Sequence, residues 1–169
     1  RVPNMEPSRE GTYVVPEVTG ASNWWSPSYS PDTGLFYLMA YDGGALYFTA
    51  EAEYEAGRLF VGGSYTRARP VDEYHSAVRA IDPITGTRRW EFPVRAKSMS
   101  GVMATAGGLV FTGTVTGNFI ALDAETGADL WQSRLGGEII AAPITYLSEG
   151  RQQVSIAAGH AIFTFRLPE

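Results

Sequence analysis

The side chains reactive enough for catalysis are few and scattered. Ser26, Ser28 and Ser30 alternate with other residues, but no His or Asp stands at a recognisable nucleophile spacing. A hydrolase triad is therefore unsupported. Glu51, Glu53 and Glu55 recur at intervals of two, which on a strand would put them on one face, and Asp72 and Glu73 add an acidic pair. Carboxylates grouped this way suit a hard cation. The reading adopted is a solvated face, with no metal ligands and no catalytic base. His75 ends a polar stretch and reads as solvated. Gly62-Gly63 and Gly107-Gly108 are not phosphate loops, since neither Lys-Ser/Thr nor a helix start follows them. The chain has no cysteine, which excludes a disulfide framework, a thiolate metal site and a Cys nucleophile.

Composition indicates what must position any site. The chain has 169 residues, of which 44% are hydrophobic and 18% charged. Nineteen Gly, ten Pro, four Trp, nine Tyr and eight Phe make it rich in turn and strand formers and poor in helix formers. An all-β fold is expected. The net charge is −5, and Lys97 is the single lysine. A nucleic-acid surface needs clustered cations, so nucleic acid is not an expected partner. No apolar run approaches the ~20 residues of a membrane helix, so no membrane span is expected.

A repeat organises the chain. The segment from Ala80 to Trp90 matches the segment from Ala121 to Trp131, with Ala, Asp, Thr, Gly and Trp at the same offsets, 41 residues apart. A period of about 40–50 with strands and a Trp/Asp signature indicates propeller blades. The Asp side chain can accept hydrogen bonds from the amides of the turn that follows it. Thr-Gly supplies that turn, with Gly free to take positive φ. The Trp opens the next strand and can fill the gap between blades.

That frame implies the strands. One blade spans 99–137, with strands over Gly101–Ala106, Gly108–Thr114, Asn118–Asp123 and Ala128–Ser133. A final blade, 138–169, has strands over Ile139–Tyr146, Gln152–Ala157 and Ala161–Arg166 and lacks a fourth. An enlarged blade, 23–98, has strands over Asn23–Ser30, Leu35–Tyr41, Ala77–Asp82 and Thr87–Val94, split by an insertion over 42–76. Leu59-Phe60-Val61-Gly62-Gly63 inside the insertion is an alternative second or third strand. Residues 1–22 are a lead-in, read as the end of a preceding blade. Closed propellers need about four to eight blades, so about three blades belong to something larger.

Two segments resemble the pyrroloquinoline-quinone (PQQ) dependent dehydrogenases, that is, quinoprotein alcohol, methanol and glucose dehydrogenases. One runs from Gly20-Ala21-Ser22-Asn23-Trp24-Trp25 to Gly34-Leu35-Phe36-Tyr37. The other runs from Ala106-Gly107-Gly108-Leu109-Val110-Phe111 through Trp131 to Ala142-Pro143-Ile144-Thr145-Tyr146. The eleven-residue repeat is similar to that family's tryptophan-docking motif. The resemblance implies the C-terminal part of an eight-bladed propeller that oxidises an alcohol or sugar in the periplasm. It further implies PQQ near the axis with a calcium or lanthanide ion, hydride transfer to the quinone, and an acceptor such as cytochrome c or a quinone. The catalytic base and metal ligands are expected outside these residues, in the N-terminal remainder of the propeller.

Carried over by position, Asn23 and Trp24 correspond to a cofactor-contacting Asn-Trp pair. The Asn amide can bond a quinone or carboxylate oxygen, and the indole can wall the pocket. The competing reading of Asn23 is a polar cap on an inner strand. Trp24 and Trp25 are expected on opposite faces of a strand. His160 follows a turn in the last blade and is a third cofactor candidate, against a surface role. Met99 stands where the family often has Trp, and Ala157-Ala158-Gly159-His160 where it often has a Gly-Gly-Trp loop. The alternative function is a PQQ-like-repeat propeller without cofactor that serves as a protein-interaction scaffold.

Overall fold

The computed structural model describes residues 2–67 and 75–167. The pair Asp72 and Glu73 lies outside the described residues. All regular elements among the described residues are strands, fourteen in number, and every strand pairing is antiparallel.

They are β1 (Thr12–Val14), β2 (Ser28–Ser30), β3 (Leu35–Asp42), β4 (Ala45–Thr49), β5 (Gly63–Arg67), β6 (His75–Ile81) and β7 (Arg88–Val94). The second half holds β8 (Val102–Ala104), β9 (Leu109–Gly113), β10 (Asn118–Asp123), β11 (Asp129–Arg134), β12 (Ile144–Ser148), β13 (Arg151–Ala158) and β14 (Ala161–Arg166). Two four-stranded sheets, β2-β3-β6-β7 and β8-β9-β10-β11, are the repeated blades, and β12-β13-β14 is a three-stranded blade. The all-β propeller expectation stands.

Several local expectations change. Asn23–Ser30 is not one strand, because only Ser28–Ser30 pairs with β3. Trp24 and Trp25 therefore do not alternate on a pleat. A bend still sends them apart, with Trp24 64% exposed and Trp25 buried. The insertion contains a β-hairpin. Strands β4 and β5 pair with each other, and the lead-in's β1 pairs with β4, giving a side sheet of order β1-β4-β5. Leu59–Val61 lies in the hairpin's connecting loop and only Gly63 begins a strand. Glu51, Glu53 and Glu55 lie in that same loop and share no strand face. Glu51 pairs with Arg9 and Glu55 with Arg58, all exposed.

The core follows the period of two along each strand. Ile120 and Leu122 face the preceding blade, joining Tyr37, Met39, Tyr41, Val78 and Trp90 in one buried cluster. Phe119 faces the following blade and joins Ile139, Ile156 and Ala158 in another. The middle blade is thus buried on both faces, which is why β10 reads as an almost continuous apolar run.

The repeated motif closes each turn as its residue types require. Asp123 Oδ1 accepts from Glu125 N, Thr126 N and Thr126 Oγ1, and Asp82 Oδ1 accepts from Ile84 N and Thr85 N. These bonds to the charged form hold both carboxyls below their ordinary range. The Thr126 hydroxyl contributes most at Asp123, and the Ile84 amide most at Asp82. Both are turn-holding groups.

Candidate functional site

The three blades enter their first strands at one place. Val102 N donates to Ser26 O at 2.8 Å. A methyl built on Gly101 would lie 2.5 Å from Ala142 Cβ and 3.4 Å from Ser26 N. Ser26, Gly101 and Ala142 stand just before β2, β8 and β12, so only a glycine lets the three entrances meet. Strand direction then decides what shares this end of the blades. It gathers the Gly20–Pro27 segment, the base of the insertion, the Arg95–Gly101 linker, the Thr114–Gly117 turn and the Gly159-His160 turn.

Asn23 and Trp24 sit in the first of these segments, both exposed. Asn23 Nδ2 donates to Thr19 O at 2.9 Å. That bond uses one N–H and leaves the amide oxygen available at the surface. Trp24 meets Trp25 edge to face at 5.9 Å, and Trp25 Nε1 donates to Met39 O at 2.6 Å. Trp25 is the anchor, and Trp24 presents its ring outward. His160 is exposed in the β13–β14 turn, with Gly159 N donating to Glu138 O at 2.9 Å. His160 shares the end of the blades with Asn23 and Trp24, but no hydrogen bond joins them among the described residues. His75 is exposed at the start of β6.

Beneath the Asn23 segment lies a buried polar cluster that the sequence reading did not single out. Lys97 is 7% exposed and its Nζ lies 3.1 Å from Glu17 Oε1, 2.8 Å from Thr19 Oγ1 and 3.3 Å from Tyr41 OH. The ammonium also lies 4.3 Å from the Tyr41 ring centre. Glu17 Oε1 accepts from Tyr41 OH at 2.7 Å and Thr19 Oγ1 at 2.9 Å. Burial alone would raise the Glu17 carboxyl. The hydrogen bonds from Tyr41, Thr19 and Lys97, with the Lys97 charge, outweigh it and hold the group at about 2. Tyr47, on β4, is pushed up by burial first and then by the Glu17 charge. Eighty residues separate Lys97 from Glu17, and no local periodicity announces such a pair.

The Arg95–Gly101 linker ties neighbouring blades together through hydroxyls. Ser100 Oγ donates to Ala141 O at 2.9 Å and accepts from Gly113 N at 3.0 Å. Ser98 Oγ donates to Gly113 O at 3.2 Å. Met99 packs half-buried against the core.

The region holding both repeats decides the family. Residues 75–161 match the PQQ_2 family model, described as outer membrane protein assembly factor BamB. The chain belongs to that family of PQQ-repeat propellers. Its sequence is 37% identical over 163 residues to the quinoprotein ethanol dehydrogenase of Pseudomonas aeruginosa, covering 95% of this chain and 26% of that protein. It is likewise 37% identical over 150 residues to the lanthanide-dependent methanol dehydrogenase of Methylacidiphilum fumariolicum, covering 86% of this chain and 24% of that protein. Among solved structures, a europium-containing methanol dehydrogenase superposes with a TM-score of 0.82 at 34% identity, over 92% of this chain and 28% of that one. The quinohemoprotein alcohol dehydrogenase ADHIIG of Pseudomonas putida gives 0.81 at 30% identity, over 90% of this chain and 24% of that one. The chain spans about a quarter of the length of these curated relatives. This PQQ-repeat chain is therefore a propeller region related to quinoprotein alcohol and methanol dehydrogenases.

The donor set can be compared with the cofactor this family's relatives imply. An exposed amide beside an exposed indole suits a flat, anionic, oxygen-rich ring system: the amide can donate or accept at its edge, and the indole can cover its face. Among the described residues no three His, Cys, Asp or Glu side chains gather as cation ligands.

Proposed function

We propose that this chain forms the C-terminal blades of a PQQ-dependent dehydrogenase that oxidises an alcohol or sugar. PQQ, when bound, would supply the two-electron oxidising power for that reaction. Asn23 hydrogen-bonds an edge oxygen of the cofactor, and Trp24 walls one side of it. His160, at the same end of the blades, lines the rim. Calcium or a lanthanide, together with the catalytic base, is held by the N-terminal remainder of the propeller. The working protein is periplasmic and passes electrons to an acceptor such as cytochrome c or a quinone.

The observation that carries this reading is the extent of the similarity. The ethanol dehydrogenase match takes in 95% of the chain, so it necessarily includes the Gly20–Trp25 segment. The family-model match begins at residue 75 and does not. A second reading, a cofactor-free interaction scaffold, draws support from that family model's description alone.

The test uses the full-length protein that contains these blades. It is incubated with PQQ and Ca²⁺, or PQQ and a lanthanide, and assayed for alcohol-dependent dye reduction. Cofactor uptake and turnover are expected. Absence of both with every ion would favour the scaffold.

A further inference from the structure

The Lys97 cluster is unused by the chemistry above, yet its bonds to Glu17 and Thr19 lead to the Asn23 segment. Glu17 N donates to Gly43 O and Gly20 N donates to Glu17 O, so Glu17 anchors the start of the segment at both its backbone and its carboxylate. Thr19 receives Lys97 on its hydroxyl and Asn23 on its carbonyl, and thereby couples the ammonium to the amide. Tyr41, whose hydroxyl sits in the cluster, donates its backbone N–H to Ala21 O at 2.9 Å. The segment lacks regular strand pairing until Ser28, so these contacts replace a ladder in fixing where Asn23 and Trp24 stand. A buried ion pair is weak evidence for added stability, because desolvating both charges is costly. Its attested use is to specify one arrangement among several.

We propose that Lys97 is a positioning residue for the cofactor pocket, holding the Asn23–Trp24 segment in register through Glu17, Thr19 and Tyr41. This role rests on the PQQ reading. Without the ammonium, the buried carboxylate of Glu17 loses the Lys97 charge, and the 17–25 segment loses its bonds from Lys97 in the linker between β7 and β8. The pocket edge then samples several positions, and binding has to select the competent one.

The experiment is a double-mutant cycle in the full-length protein, read by PQQ titration in the presence of Ca²⁺ and by amide hydrogen exchange. Lys97→Met is expected to weaken PQQ affinity by about tenfold, a typical coupling within one bonded network. It is also expected to speed exchange at Gly20–Trp25 while leaving β10 unchanged. In an Asn23→Ala/Trp24→Ala background, Lys97→Met is expected to cost little further affinity, because the groups it positions are gone. Where Lys97→Met alone fails to fold, Lys97→Met/Glu17→Met removes both charges, and is expected to fold, with the same looseness at residues 20–25 and the same lost affinity. Unchanged affinity and exchange in a folded variant, or a full affinity loss retained in the Asn23→Ala/Trp24→Ala background, would overturn the positioning role alone. If the wild-type protein takes up no PQQ, the cofactor reading fails and this role falls with it.

Discussion

The indole of Trp90 lies against Gly127 of the following blade, so closely that a methyl at Gly127 would sit 2.6 Å from ring carbons Cδ2 and Cε3. Trp90 Nε1 donates to Ala124 O at 3.0 Å, and Tyr37 OH reaches the same carbonyl at 3.0 Å. One turn of the repeat thus receives the Trp of the blade before it. Gly127 is required twice, by its φ of +73° and by the ring above it. Substitution by Ala should cost about 1–2 kcal/mol for the left-handed backbone and about 1–3 kcal/mol more for overpacking. Gly108 has φ of +74° and nothing within 4 Å, so Gly108→Ala isolates the backbone part. Chemical denaturation of the full-length protein should rank Gly127→Ala below Gly108→Ala. A Trp90→Ala background should bring the two costs together.

Acid should weaken the fold through Glu17. Its carboxyl moves from an ordinary value of 4.5 to about 2 in the folded chain, so the unfolded chain binds more protons between those values. The stabilisation is complete above about pH 5 and is lost as the pH falls toward 2. Glu17→Gln should flatten that part of the stability profile, measured by denaturant midpoints from pH 6 to pH 2. An unchanged profile would show that the cluster does not control acid stability.

The hydroxyl of Ser100 stands between two blades, and its removal should be felt although no apolar contact is lost. Ser100→Ala leaves the buried Gly113 N and the half-buried Ala141 O without that partner. A cost of about 1–3 kcal/mol follows from stranding buried backbone groups. Ser100→Thr, which keeps the hydroxyl, should retain part of it. Thermal unfolding of both variants provides the comparison.

Trp24 offers a direct signal. Its ring is exposed at 64%, so Trp24→Ala should leave the stability of the cofactor-free protein almost unchanged. The same change should weaken PQQ uptake and remove the tryptophan fluorescence quenched on binding. Asn23→Ala should weaken uptake by about tenfold or more, as expected for a hydrogen bond to a charged partner. Equal cofactor affinity in all three proteins would reassign Asn23 to capping the Gly20–Trp25 segment.

What the sequence makes legible is the repeated part. Asp-x-x-Thr-Gly-x-x-x-Trp is a local motif, and its turn bonds depend on neighbours two and three residues away. The side sheet was hidden because β1 and β5 are joined only through β4, across a long sequence separation. The bend at Trp24-Trp25 was hidden for a related reason. Trp25 turns inward to reach Met39 O, and that tertiary bond overrides the alternation a strand would impose. Lys97 was visible only as a lone lysine in a weakly charged chain. Its partners come from residues 17, 19 and 41, and spacing alone cannot assemble them.

The proposed PQQ pocket has Asn23 and Trp24 along one edge. The most direct measurement is a PQQ titration of the full-length protein with Ca²⁺ or a lanthanide, followed by alcohol-dependent dye reduction, in wild type and in Asn23→Ala/Trp24→Ala. Saturable uptake and turnover are expected in the wild type, with affinity lowered by tenfold or more in the variant (about 1.4 kcal/mol for each factor of ten). Wild-type protein that neither binds PQQ nor oxidises alcohols, or a variant that binds it equally well, would rule out a PQQ pocket edged by Asn23 and Trp24.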